Sequence, residues 1–264
     1  MSFLSLVPQQ DELWFCKSLR PLEQVDKRAR EGSSTVEHLT LIQGILVQLL
    51  ASLPIGENME SPILGMPGIL SDKQIAEEAR IHGMIEPFCE STNKNAEGKK
   101  ICSYGVSSYG YDVRLSGEFF VARDTRPMSA NPGMLDVHDA WSVRDAFVAK
   151  QVPEGEPLVI PPHGFVLACT KETIKMPKDC LAVCMGKSTY ARVGLVVNVT
   201  PLEPGWEGQV TMELSNTTHL PVKVYVGEGI MQVLFFRGAV ACENPYTARS
   251  GKYLGQTGPT LPRM

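Results

Sequence analysis

Beyond Met84 the chain breaks into short runs of β-branched and apolar residues. They are Gly117–Ala122, Pro157–Ile160, Gly164–Thr170, Leu181–Met185, Leu195–Val199, Gln209–Leu214, Val222–Val226 and Ile230–Phe236. Gly, Pro, Asn and Asp punctuate them at intervals of about 8 to 15 residues, the spacing of a β-sandwich or barrel. Ahead of the first run, Ser71 with Gln74 three positions later forms a capping box. The pattern continues through Ile75, Ala79 and Ile81 to a stop at Gly83, which predicts one short helix. The expectation is an all-β domain over residues 69–264 with a short helix in front.

Residues 1–68 read as an N-terminal extension. Ser34 and Glu37 form a second capping box, and an apolar pattern predicts a helix over about residues 35–53, ended by Pro54. Gly56, Pro62, Gly65, Pro67 and Gly68 then make a linker. A helix apolar on most faces calls for a partner, which leaves three readings: it docks on the main domain, pairs between subunits, or stays unordered. A fourth is that the region precedes the true start, at Met59 or Met66.

The charge balance narrows the function classes. Twenty-five Lys and Arg against 29 Asp and Glu leave a net charge of −4. No run of cations marks a basic stripe, which argues against nucleic acid as a partner. The longest apolar stretch, Leu39 to Leu53, is too short and too polar to span a bilayer. Seven cysteines at irregular spacing, behind an N-terminus that carries Asp11 and Glu12, point to a reducing cytoplasm. Cys180 and Cys184 lie in an apolar run and read as small buried hydrophobes.

Chemistry concentrates between Gly186 and Asn216. Gly186-Lys187-Ser188-Thr189 resembles the end of a phosphate loop, but the first Gly of that motif would fall at Leu181, so the Walker reading fails. The ammonium of Lys187, two hydroxyls and the fork-shaped donor of Arg192 could still meet phosphate oxygens; the alternative is a surface turn with two solvated cations. In Val210-Thr211-Met212-Glu213-Leu214, alternation puts Glu213 opposite Met212 and Leu214. It is either a solvent-facing carboxylate or a general base tuned by burial and by Arg192. The zinc-deaminase pattern, the nucleophile elbow and the dinucleotide fingerprint are all absent. The Gly-rich tail Tyr246–Gly258 has the composition of a mobile terminus, and equally of a flap that folds over a polyphosphate with Arg249 and Lys252 as cations.

Several separated motifs in order resemble the dCTP deaminases of the dUTPase-like superfamily over roughly Ile69 to the C-terminus. They are Leu70-Ser71-Asp72-Lys73-Gln74-Ile75, Gly83-Met84-Ile85-Glu86-Pro87-Phe88, Ser107 to Leu115, Gly186 to Gly194, Pro204 to Asn216, and Gly251-Lys252-Tyr253 with Gly255-Gln256. The resemblance implies a distorted β-barrel of jelly-roll type, a homotrimer with shared active sites, and hydrolysis of dCTP to dUTP and ammonia, feeding dUMP and dTTP synthesis. It implies Mg2+ carried on the triphosphate and no zinc. Glu213 resembles the residue that activates water, with Ser188 and Arg192 as the catalytic hydroxyl and guanidinium. Lys187, Ser188, Thr189, Tyr246, Lys252 and Gln256 resemble the triphosphate grip, and Arg192, Val199, Thr200, Pro201, Glu203 and Trp206 complete the nucleotide contacts.

The stretch Pro201-Leu202-Glu203-Pro204 departs from better-known bacterial members, with Glu where many have Asp. In feedback-inhibited relatives this stretch answers to dTTP, so dTTP is a candidate inhibitor here. Two rivals stay on the same fold: a bifunctional enzyme that also releases diphosphate to give dUMP, and a dUTPase using Glu203 or Glu207. A third, from another class, is a nucleotide-binding regulatory protein that has lost catalysis; it would be expected to lack Glu213 or Arg192.

Overall fold

The strand Glu207–Asn216 (β11) alternates buried and partly exposed side chains along its whole length, with Val210, Met212 and Leu214 in the core and Thr211 and Glu213 on the other face. That is the period-two pattern its sequence carries, and it sets which residues can share a site with Glu213. The computed structural model describes residues 66–96, 98–123 and 134–263; those from 66 onward fall in one compact unit spanning Pro62–Met264. The predicted helix at about 35–53 and its linker lie outside the described residues.

In chain order the strands before β11 are Gly68–Ile69 (β1), Ile85–Glu86 (β2), Asn93–Ala96 (β3), Lys99–Ser107 (β4), Gly110–Ala122 (β5), Phe147–Gln151 (β6), Pro157–Ile160 (β7), Phe165–Lys175 (β8), Cys180–Gly186 (β9) and Leu195–Asn198 (β10). Val222–Tyr225 (β12) and Gly229–Arg237 (β13) follow it. One large sheet runs in the order β1-β13-β5-β8-β11-β10, with β9 on β13, β4 and β6 on β5, and β2 on β8; β7 and β12 form a separate pair. All the pairings are antiparallel. The long strand β5 changes partners along its length: Tyr111 to Arg114 pair with β13, and Leu115 to Val121 pair with β8. This hand-over curls the sheet around a core that holds Tyr111, Phe119, Met212 and Phe235.

Every β run expected from the sequence is a strand. Strands β3, β4 and β6 were not legible, because their residues are mostly polar or only half-buried, with no clear alternation. The helix Asp72–His82 (α1) forms where its capping box predicts: the Ser71 amide donates to Gln74 Oε1 at 3.0 Å, and Gly83 ends it in a left-handed conformation at φ 64°. Two further short helices, Ala140–Asp145 (α2) and Ser188–Ala191 (α3), add to the single helix expected in front. Buried ion pairs fasten these pieces. Arg237 on β13 reaches Glu78 on α1 and, at 3.0 Å, Asp179, while Arg114 on β5 donates to Glu172 on β8 at 2.6 Å. Cys180 is fully buried and Cys184 half-buried, and burial pushes both thiols up to about 12. No helix of the described residues is long and apolar enough to cross a membrane.

Candidate active site

The pairing registers place Asn198, Glu213, Leu167, Phe120 and Ala149 in one row across β10, β11, β8, β5 and β6. Directly opposed residues of antiparallel strands point to the same face, so Glu213 has a polar neighbour on one flank and an apolar one on the other. Asn198 Nδ2 donates to Glu213 Oε2 at 3.2 Å. Leu167 on the opposite flank is only 6% exposed. Glu213 itself is partly buried, and desolvation pushes its carboxyl above the usual carboxylate range against the pull of Asn198 and of its own backbone amide. Burial raises the proton affinity of the carboxyl, which suits a group that both takes and returns a proton.

Glu213 opens onto a cavity of about 470 Å³. Val199, Thr200, Pro201, Glu203 and Trp206 form one wall, and Tyr246 with Gln256 another. A third wall, apolar, comes from Leu135, Val137, Val143 of α2, Phe147, Phe165 and Leu167. Phe147 and Phe165 meet edge to face at 6.1 Å between ring centres. No local pattern points to this third wall, because α2 is a six-residue helix whose only buried side chain is Val143. Asn198 was likewise not singled out; only the β10–β11 register reveals that it faces Glu213.

The C-terminal tail is laid along β11. Gln209 donates its amide to the Gln256 carbonyl at 2.9 Å, Gly255 donates to Glu207 at 2.8 Å, and the buried Gln256 amide group donates to Gln209 O at 2.7 Å and Thr211 Oγ1 at 3.2 Å. Gly208 permits this approach: at φ 151° it sits where a Cβ would fall 2.9 Å from the Gln256 carbonyl oxygen. Within the tail, Tyr246 Oη accepts from the Tyr253 amide at 3.1 Å. Arg249 forms an ion pair with Glu203 at the cavity edge.

The remaining candidates sit elsewhere on the chain. Lys187, Ser188, Thr189, Arg192 and Lys252 do not line the Glu213 cavity. Arg192, expected to tune Glu213, does not act on it within the chain; the donor there is Asn198. Ser188, Thr189 and Arg192 are exposed on and beside α3. Lys187, at the start of α3, donates to the buried carboxylate of Asp112 on β5, and its amide donates to Ile230 O at 3.1 Å. Burial pushes the Asp112 carboxyl up, and Lys187 pulls it back.

Comparison with known proteins bears on the whole of this domain. The dCTP deaminase-like family model matches residues 69–238. The dCTP deaminase of Ectopseudomonas mendocina is 49% identical over 195 residues, 74% of this chain and 98% of that one. The dCTP deaminase of Acinetobacter baylyi is 48% identical over 196 residues, with the same coverage. Among solved structures, 2'-deoxycytidine 5'-triphosphate deaminase from Agrobacterium tumefaciens aligns at a TM-score of 0.45 and 19% identity, over 65% of this chain and 48% of that one; the family assignment rests on the sequence relatives. Glu213, the Val199 to Trp206 wall and the α3 turn fall inside the span of the family model, and the chain belongs to the dCTP deaminase-like family.

Proposed function

We propose that this protein is a dCTP deaminase that hydrolyses dCTP to dUTP and ammonia, with Glu213 as its proton carrier. The observation that carries the reading is the carboxyl of Glu213: partly dry, raised, bonded to Asn198, and opening onto a cavity with one apolar wall. Deamination at C4 needs two proton movements, and one such group can perform both. Glu213 takes a proton from water as the oxygen adds to C4 and passes it to N3. It then moves the proton of the new C4 hydroxyl to the amine, the C4–N4 bond breaks, and ammonia leaves. Backbone carbonyls of the Val199 to Pro201 stretch orient the water, and Trp206 and Glu203 bound the nucleoside end.

Magnesium enters on the triphosphate, as part of the substrate. The reading assigns water activation to Glu213, without a catalytic zinc. Ser188 and Arg192 act from a neighbouring copy. Their exposure on α3, away from the Glu213 cavity of their own chain, favours a homotrimer of jelly-roll barrels whose sites lie between subunits. Lys252, Tyr246 and Gln256 of the tail close on the triphosphate, and dTTP competes through the Val199 to Glu203 wall.

The test is incubation with dCTP and Mg2+, with dUTP and dUMP separated and ammonia and diphosphate measured. Equimolar dUTP and ammonia are expected. Absence of ammonia overturns the reading, and diphosphate with dUMP would instead make the enzyme bifunctional.

A further inference from the structure

The two flanks of Glu213 differ in polarity, and that difference orients the base. In cytosine the C4 amine is flanked in the ring plane by N3, a hydrogen-bond acceptor, and by C5, which carries only hydrogen. With the amine facing Glu213 and the ring plane lying along the β10–β11–β8 row, one ring edge turns toward β10 and the other toward β8. On the β10 side stands the exposed amide of Asn198; on the β8 side stand Leu167 and, two residues away on the same face, Phe165. Leaving N3 against Leu167 would cost its hydrogen bond, so N3 turns toward Asn198 and C5 toward the apolar wall.

That wall bounds a cavity of about 470 Å³, lined on this side by Leu167, Val143 of α2, and Phe147 and Phe165, whose rings meet edge to face. Resting on the deaminase reading of this site, we infer that the enzyme also accepts 2'-deoxycytidine triphosphates with a small alkyl group at C5, such as 5-methyl-dCTP. The chemistry is unchanged: water adds at C4, the C4–N4 bond breaks, ammonia leaves, and the product is the 5-methyl-uracil nucleotide dTTP. Burying one methyl group against apolar side chains favours binding by about fourfold.

Steady-state kinetics on the full chain with Mg2+, comparing dCTP and 5-methyl-dCTP by ammonia release, tests the inference. A kcat/KM for 5-methyl-dCTP within threefold of dCTP, or above it, is the expected result; a larger deficit overturns it. Val143→Phe narrows the apolar end and is expected to lower the 5-methyl-dCTP to dCTP ratio of kcat/KM by about tenfold. Equal loss on both substrates would show that C5 points elsewhere and overturn the orientation. Thermal unfolding of each protein serves as the control for folding, and the comparison of substrates is made on folded protein. If dCTP is deaminated and 5-methyl-dCTP is not, the inference alone fails; if neither is, the deaminase reading fails first.

Discussion

Asn198 and Glu213 face each other across β10 and β11, with Nδ2 of one donating to Oε2 of the other at 3.2 Å. The bond favours the ionised carboxylate, while burial of Glu213 favours the neutral acid, and burial is the larger of the two effects. The proton affinity of this carboxyl is thus set by neighbours on two strands. Removing Asn198 takes away the part that favours charge, so Asn198→Ala raises it further. Because the base must be ionised in the free enzyme, the acid limb of kcat/KM lies above the ordinary Glu range of about 4.3 in the native protein. In Asn198→Ala that limb moves to higher pH, with about a fivefold loss at the acid end and little at the alkaline end. A pH–rate profile of both proteins is the check, and an unmoved limb would remove Asn198 from the mechanism.

Glu213→Gln keeps the shape of the side chain and removes its proton chemistry. Turnover should fall by at least about 10² to 10⁴-fold with dCTP binding retained. Ammonia release and calorimetric titration with dCTP measure the two sides of this prediction.

Lys187 presents its ammonium to Asp112, with side chains only 13% and 9% exposed. Lys187→Met leaves a buried carboxylate without its partner and should destabilise the fold by about 3 kcal/mol. A Lys that served only phosphate would leave the melting temperature unchanged, so thermal unfolding without nucleotide separates the two roles.

Gln256 ties the tail to β11 through Gln209 O and Thr211 Oγ1. Gln256→Ala loses a buried donor worth about 1 to 2 kcal/mol and should raise KM for dCTP about tenfold with a smaller change in kcat. Steady-state kinetics decide it.

Glu213→Gln and Arg192→Ala should each be inactive alone and regain activity when unfolded and refolded together. In a shared site, some interfaces of the mixed oligomer combine an intact Glu213 from one chain with an intact Arg192 from the next. No recovery on mixing would place both residues in one chain's site and overturn the shared arrangement.

The sequence alone determined most of the strand runs, the capped helix α1 and the face on which Glu213 lies, because each of these is a local pattern: period-two alternation, a capping box, a carboxylate on the face opposite Met212 and Leu214. It also carried the family motifs, since these are contiguous runs. What only the tertiary structure decided is which groups meet. Glu213 lies between Asn198 and Leu167 because β11 is sandwiched by β10 and β8, a pairing that no local pattern encodes. Lys187 and Asp112, 75 residues apart, neutralise each other inside the protein, so an ammonium that reads as a phosphate ligand in a nine-residue window holds the α3 turn to β5. The tail, mobile or folded by composition, lies along β11 because Gly208 leaves room for the Gln256 backbone. Long-range register and burial, which depend on the whole chain at once, turn a list of plausible residues into a site where Glu213 lies between the Asn198 donor and an apolar wall.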